Sequence, residues 1–301
     1  MGLEPESLAV QLEELAKEFM DSPGNFNGNP AAQEKAFAAP IFGYAQGSDP
    51  VWGTFKKSVD PDYLTPLEAF NSEYPNTPVV LDHISVMVFV LPQTEKTMKE
   101  QNKATKILSE GWARSRGSHQ RVVDGLALHL KKNLDLMGIL SLVPDHLEDW
   151  KVFPSASFQL TSKWSHRHAG FAAGLGTFGL CDGLITKVGK AHRMGSIIIN
   201  HPLPVTVRDY EVDDYQKYCL YFNSGTCGLC IKRCPVGAVT AQGHNKHLCS
   251  DFLKTSIPYI EANWPDMTGT YGCGLCQSKV PCATKIPPVR VSKKAAAACG
   301  G

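Results

Sequence analysis

Eight of the chain's ten cysteines lie between Cys219 and Cys282. So many thiols in one short stretch restrict what the region can become: a bridged, metal-bound or cluster-bound unit. The order is Cys219, then Cys227-Gly-Leu-Cys230-Ile-Lys-Arg-Cys234-Pro235, a lone Cys249, then Cys273-Gly-Leu-Cys276 and Cys282. A C-x2-C-x3-C-P run is a spacing for iron–sulfur cubanes, in which the cysteine before the proline usually serves the neighbouring cluster. The first expectation is therefore electron transfer through two clusters.

By the swap seen in bacterial ferredoxins, Cys234, Cys249, Cys273 and Cys276 would hold one [4Fe-4S] cluster. Cys227, Cys230 and the distant Cys282 would hold the other with one further thiol. The ferredoxin position for that ligand is Ser224 here. Cys219 lies five residues upstream, and a looped-out Phe222-Asn223-Ser224-Gly225 would bring it in. The last segment also departs, with five residues between Cys276 and Cys282 and Pro281 before the cysteine. Structural zinc is the plainer alternative, since paired C-x2-C knuckles also make four-thiolate sites. Cys-Pro-x-Gly-Ala after the third spacing favours clusters. Cys181 reads as a small buried residue and Cys299 as incidental.

With 301 residues, 43% hydrophobic and 20% charged, the chain can bury a sizeable core. The formal net charge of +1 gives no reason to expect nucleic acid or an anionic membrane as partner. No run approaches the roughly eighteen apolar residues of a membrane helix. The first twenty residues lack a basic start and apolar centre, and no twin-arginine pair is present there. A cytoplasmic protein whose cysteines ligate metal is expected, not a disulfide-bonded one.

Residues 4–20 carry Leu8, Leu12, Leu15, Ala16 and Phe19 at helical spacing. Residues 21–75 are rich in Gly, Pro and Asn and predict short helical pieces at most. His83 to Leu91 is a near-continuous apolar run suited to a buried strand. Residues 95–137 read as helical with a break near Gly117, Gly138 as a helix stop, and Ile139 to Val143 as a strand. Residues 160–173 read as helix, and Leu184 to Val188 and Met194 to Asn200 as strands. This predicts an α/β (α+β) layered domain. The organisation expected is an N-terminal extension over 1–75, an α/β domain over 76–212, a ferredoxin-like two-cluster domain over 213–290 and a flexible tail over 291–301.

Beside the cysteines stands Ser165-His-Arg-His-Ala-Gly-Phe-Ala-Ala-Gly-Leu-Gly-Thr-Phe-Gly179, a basic helical turn running into glycines. Glycines let backbone approach a large ligand closely, although a glycine-rich helix end is more commonly a packing turn. His166, Arg167, His168 and Arg193 are candidates to give a proton or hold an anion, with Tyr210 and Tyr215 behind them. Histidines on one helix turn are more commonly surface or capped core residues.

Taken in order, AGLGTFG, Arg193-Met-Gly-Ser-Ile-Ile-Ile-Asn200, HPLP and the cysteine block with Cys-Pro-Val-Gly-Ala238 resemble the epoxyqueuosine reductase and reductive dehalogenase superfamily. Members usually show AGLGWIGKN, a strand containing Gly-Ser that ends in DLPL, and two clusters. The resemblance covers roughly residues 79 to 286. It implies a nitroreductase-like domain that holds cobalamin without a protein ligand below the cobalt, with two [4Fe-4S] clusters as reductant. The D-x-H-x-x-G motif that supplies such a ligand elsewhere is missing. By analogy Gly174, Gly176, Thr177 and Gly179 would line the corrinoid, with Ser196 on the adjoining strand. His166, His168 and Arg193 would act on the substrate, and reduced ferredoxin or flavodoxin would be the electron donor.

The departures shape the expectation. Epoxyqueuosine reductases carry acids in a D-x-x-P-x-x-E stretch before AGLG, where this chain has Leu160-Thr-Ser-Lys-Trp-Ser-His166. Many continue into a tRNA-binding helical repeat, and this chain ends soon after Cys282. A small-molecule substrate with a carbon–halogen or carbon–oxygen bond to cleave is expected, with tRNA unlikely. Two other readings stay open: a ferredoxin-type electron carrier fused to a partner-docking α/β domain, and a flavin-binding reductase.

Overall fold

The computed structural model describes residues 4–148, 150–157 and 159–288. The tail over 291–301 and Cys299 lie outside the described residues. The chain forms a mixed α/β fold around one antiparallel sheet of four strands. In chain order the leading elements are α1 (Pro5–Asp21), β1 (Ile41–Gln46), α2 (Val51–Ser58), α3 (Pro66–Glu73) and β2 (Ile84–Pro92). Then come α4 (Glu95–Gln101), α5 (Glu110–Leu136), β3 (Ser141–Leu142), β4 (Val152–Ser155), β5 (Gln159–Ser162) and α6 (His166–Ala172). β6 (Gly176–Phe178), β7 (Leu184–Thr186) and β8 (His192–Asn200) complete this part.

The sheet order is β1-β2-β8-β3. β2 and β8 are the central pair, in register from Ile84 opposite Asn200 to Pro92 opposite His192. The apolar run of β2 is explained by burial on both faces. Ile84, Val86, Val88 and Val90 join one core with α2, α3 and α6. Met87, Phe89 and Leu91 join the other with α1 and α5. Alternation along β8 places Met194 and Ile198 in the first core and Ile197 and Ile199 in the second. Ser196 therefore faces the α6 side.

Several sequence expectations are corrected here. Residues 21–75 include β1, a full edge strand paired with β2. Its Phe42-Gly-Tyr-Ala carries small residues because Gly43 lies under α6, where a Cβ would meet the Ala173 carbonyl at 2.6 Å. The segment read as an extension thus contributes β1 to the sheet and α1 to one core. α5 runs unbroken through Gly117, whose missing Cβ makes room for Thr270, and the helical region is interrupted instead at residues 102–109. Residues 159–162 are a hairpin strand pairing with β4, not helix. Gly138 does stop α5, with φ of +74°.

β3 pairs with β8 only at Ser141–Ile199 and Leu142–Ile198. Among the described residues, no strand covers the other half of that β8 edge, from His192 to Ile197. The chain leaves β3 over this opening, and the functional cavity lies there. After β8 the cysteine segment is a series of short helices, from Leu220–Ser224 to Ile257–Asn263, packed against α5 and the β7–β8 turn. Among the described residues no helix is long and apolar enough to cross a membrane.

Candidate functional site

A cavity of about 280 Å³ opens at the free end of β8. α5 supplies His119, Gln120 and Val123, the segment after β3 supplies Asp145 and Trp150, and the start of α6 supplies His166 and Arg167. β8 itself contributes His192, Arg193 and Met194, and the cysteine segment contributes Gln277. A second cavity of about 180 Å³ shares Ser162, Ser165 and Arg167 with it and adds His168, Phe178, Asp182 and Lys246.

The centre of the first cavity is a chain of hydrogen bonds. Trp164 Nε1 donates to Ser196 Oγ at 2.9 Å. Ser196 Oγ lies 2.9 Å from His166 Nδ1, and His166 Nε2 lies 2.9 Å from Asp145 Oδ2. A carboxylate oxygen only accepts, so His166 donates from Nε2 to Asp145, and Nδ1 faces the Ser196 hydroxyl. Asp145 restores a carboxylate to a site whose preceding motif lacks one. Sequence reading missed it because it comes from a different loop.

Among the described residues, four buried polar atoms around this cavity have no hydrogen-bond partner: Asp145 Oδ1, Trp150 Nε1, His192 Nδ1 and Gln277 Oε1. Buried polar atoms are normally paired, so four orphans on one cavity mark a place for a polar ligand. His192 Nε2 donates to the Leu184 carbonyl at 2.9 Å, which leaves Nδ1 as an acceptor. The orphan set mixes donors and acceptors, as an amide-bearing ligand would require.

Arginines and histidines dominate the walls. Burial, with Arg116 and Arg167 nearby, pushes Arg193 down to about 9. Burial pushes His119 and His168 down to about 3 and His192 to about 4. His168 is buried between the rings of Phe55 and Phe178, with centroids at 4.9 and 5.0 Å. Lys246 is lowered to about 8 by burial, with Asp182 pulling up and Arg167 pushing down.

None of Gly174, Gly176, Thr177 and Gly179 lines either cavity. Gly176 and Thr177 lie in the tight β6–β7 hairpin, where a Cβ on Gly176 would meet the Ile185 carbonyl at 2.1 Å, and Gly174 faces Thr206 and Val207. Thr177 Oγ1 accepts from the Tyr218 amide at 2.8 Å. The motif is thus a packing turn that seats the chain just before Cys219. Ser196 lies behind His166 instead of on the cavity surface.

The cysteines gather in two groups. Cys219, Cys227, Cys230 and Cys282 line one small hollow. Cys273 is raised to about 11 by burial and by neighbouring Cys249 and Cys234. Cys276 stands beside Cys273 and is raised first by Cys181 and then by burial. Both CGLC repeats need their glycine, with φ of +149° at Gly228 and +70° at Gly274. The Ala238 amide donates to Cys234 Sγ at 3.1 Å, the kind of contact that tunes a cluster thiolate. Among the described residues no three His, Cys, Asp or Glu side chains converge on a single ion position.

Cys181 is not mere filling. Its Sγ accepts from Lys190 Nζ at 3.1 Å, and contacts with Cys230 and Cys276 hold its thiol well below the usual range. Lys190 lines both the large cavity and the thiol hollow. Burial works against its charge, but Cys181, Cys282, Cys276 and Cys230 together hold it well above the usual lysine range.

No family model matches the chain. The chain is 29% identical over 174 residues to an epoxyqueuosine reductase of Staphylococcus aureus, covering 55% of this chain and 41% of the relative. It is 30% identical over 125 residues to an epoxyqueuosine reductase of Bacillus anthracis, covering 40% and 30%. The chain thus spans less than half the length of these curated relatives. Its fold is similar to that of the catabolic reductive dehalogenase NpRdhA, solved with 3-bromo-4-hydroxybenzoic acid. The TM-score is 0.51 at 14% identity, over 94% of this chain and 33% of that one. An epoxyqueuosine reductase solved with an epoxyqueuosine-modified tRNA stem loop matches at a TM-score of 0.43 and 18% identity, over 94% and 68%.

These relatives overturn the expectation of a small-molecule substrate with tRNA unlikely. Both curated relatives are epoxyqueuosine reductases. The expectation rested on the missing acidic stretch and helical repeat, and on a net charge that averages over the whole surface. A polyanion responds to the local field, and here Arg167, Arg193 and Lys246 gather at the two cavities.

Proposed function

We propose that the chain is a divergent member of the epoxyqueuosine reductase and reductive dehalogenase superfamily of oxidoreductases, a corrinoid-dependent iron–sulfur reductase acting on an epoxide borne by a tRNA nucleoside. The observation that carries this reading is the cavity with four orphaned polar atoms, walled off from a ring of four thiols by Lys190.

The donor sets fit the groups invoked. Cys219, Cys227, Cys230 and Cys282 would hold one [4Fe-4S] cluster, and Cys234, Cys249, Cys273 and Cys276 the other, in a ferredoxin-like unit. Thiols that ring a hollow suit a cubane better than the single point around which zinc gathers its donors. Trp150, His192, Gln277 and Asp145 would meet the amide groups of a corrinoid. When bound, the corrinoid supplies low-valent cobalt for breaking a carbon–oxygen bond. Both nitrogens of His166 are already engaged, so it is not available as a ligand to that metal.

Loss of an epoxide oxygen as water takes two electrons and two protons. Two one-electron clusters match the electrons. The protons have a route among this chain's own groups. Asp145 lines the cavity, His166 donates to it from Nε2, and Ser196 fixes the ring from behind. Arg167, Arg193 and Lys246 would hold phosphate. The apolar ring pocket around His168 keeps that histidine neutral, so its role is to pack the start of α6.

Anaerobic reconstitution with iron, sulfide and hydroxocobalamin tests the reading. About eight irons and one cobalt per chain are expected, with the visible spectrum of a corrinoid lacking its lower base. The loaded protein should bind an epoxyqueuosine-modified stem loop more tightly than the unmodified one. Iron without cobalt would leave a two-cluster electron carrier, and zinc without iron would overturn the whole reading.

A further inference from the structure

Lys190 is the buried cation that the proposed chemistry leaves unused. It is 3% exposed, and its ammonium is 3.1 Å from Cys181 Sγ. Its backbone is pinned as firmly as its side chain. The Lys190 amide donates to the Cys282 carbonyl at 2.9 Å and to the Ala283 carbonyl at 3.1 Å. Gly189 makes this approach possible: its φ is +77°, and a Cβ there would meet the Ala283–Thr284 backbone at 2.3 Å. Lys190 shares the hollow with Cys219, Cys227, Cys230 and Cys282 of one proposed ligand set, and its partner Cys181 lies 4.0 Å from the carbonyl of Cys276 in the other. Lys190 is also part of the wall that separates the thiol hollow from the cavity.

We propose that Lys190 is a fixed positive charge that raises the reduction potential of the clusters facing the cavity, and that Cys181 is its hydrogen-bond seat and not a ninth iron ligand. The inference rests on reading the eight thiols as cluster ligands. A cluster gains one negative charge on reduction, and a buried cation a few ångströms from its thiolates favours that form. Taking the ammonium away therefore moves reduction to more negative potentials. Cys181 keeps the ammonium against Cys230 and Cys276 without itself reaching iron.

The test is a redox titration followed by electron paramagnetic resonance on the reconstituted iron–sulfur protein, with dithionite supplying one electron per cluster. It needs no substrate turnover. Lys190→Met should keep the iron content of the wild type and shift at least one midpoint to more negative potential. Lys190→Arg should keep the midpoint close to that of the wild type. Cys181→Ala should retain all the iron. Unchanged midpoints in Lys190→Met would overturn the proposal, as would iron loss in Cys181→Ala. If Lys190→Met fails to assemble, Lys190→Gln carries the same expectation. Loss of clusters from both neutral variants would make Lys190 a structural prop and overturn the electrostatic role. Absence of iron from the wild type would instead sink the cluster reading beneath it.

Discussion

His166 Nε2 lies 2.9 Å from Asp145 Oδ2, across 21 residues of sequence and at the mouth of a buried cavity. The pair joins α6 to the loop after β3, and its far side is held by Ser196 on β8. A histidine bonded at both nitrogens has one ring orientation. That precision suits proton delivery to a ligand in the cavity.

Asp145→Asn keeps the shape of this contact and removes the carboxylate. Turnover of the loaded enzyme should fall by about 10²-fold or more, with iron and cobalt content unchanged. His166→Gln should fall similarly. Metal analysis beside single-turnover assays checks this, and full activity in Asp145→Asn would exclude the dyad from proton transfer.

His168 gives a stability prediction with a definite sign. Its folded value, about 3, lies below the ordinary 6.5, because burial opposes its charge. The unfolded chain therefore binds the extra proton first as pH falls. The stability from neutral His168 is fully present above pH 6.5 and is lost as pH drops toward 3, by about 1.4 kcal/mol per unit. His119 and His192 add slopes of the same sign. Urea unfolding of His168→Phe from pH 4 to 7 should show a shallower decline than the wild type, by one proton taken up. An unchanged slope would mean that His168 is charged in the folded state.

Cys219 and Cys181 should behave oppositely. Cys219 shares a hollow with Cys227, Cys230 and Cys282, whereas Cys181 is bonded to Lys190. Cys219→Ala should lose about half of the iron, the complement of one cubane. Iron analysis that found Cys219→Ala intact would remove it from the ligand set.

Thr177→Val deletes the hydroxyl that accepts from the Tyr218 amide. The buried amide would be left unpaired, at a cost of about 1–3 kcal/mol. Because Tyr218 precedes Cys219, the variant should also release iron faster under a chelator. Unfolding midpoints and chelation rates read the two effects separately, and unchanged values would detach the glycine-rich hairpin from the thiol site.

The cysteine pattern was legible in the sequence because C-x2-C spacing is a local property. Cys227, Cys230 and Cys234 lie within one or two turns of chain, so a few backbone angles bring them together. The apolar run of β2 and the helical period of α1 were legible for the same reason: period alone states which face is buried. β1 was hidden among glycines and small residues, since its partner and the helix over it, not its own composition, make it a strand. The AGLGTFG motif was visible, but only the structure showed Gly176 packed on the Ile185 backbone and Gly174 beside Thr206 and Val207.

By itself, then, the sequence determined the grouping of the cysteines, the buried central strands and the kinship these carry. Tertiary structure alone decided the site. The order β1-β2-β8-β3 with so short a β3 leaves half of the β8 edge open, and the chain crosses that opening with Asp145. Lys190 and Cys181 meet only because the β7–β8 turn is clamped to Cys282 and Ala283. Contacts between residues far apart in sequence depend on which strands lie side by side, and no local period encodes that.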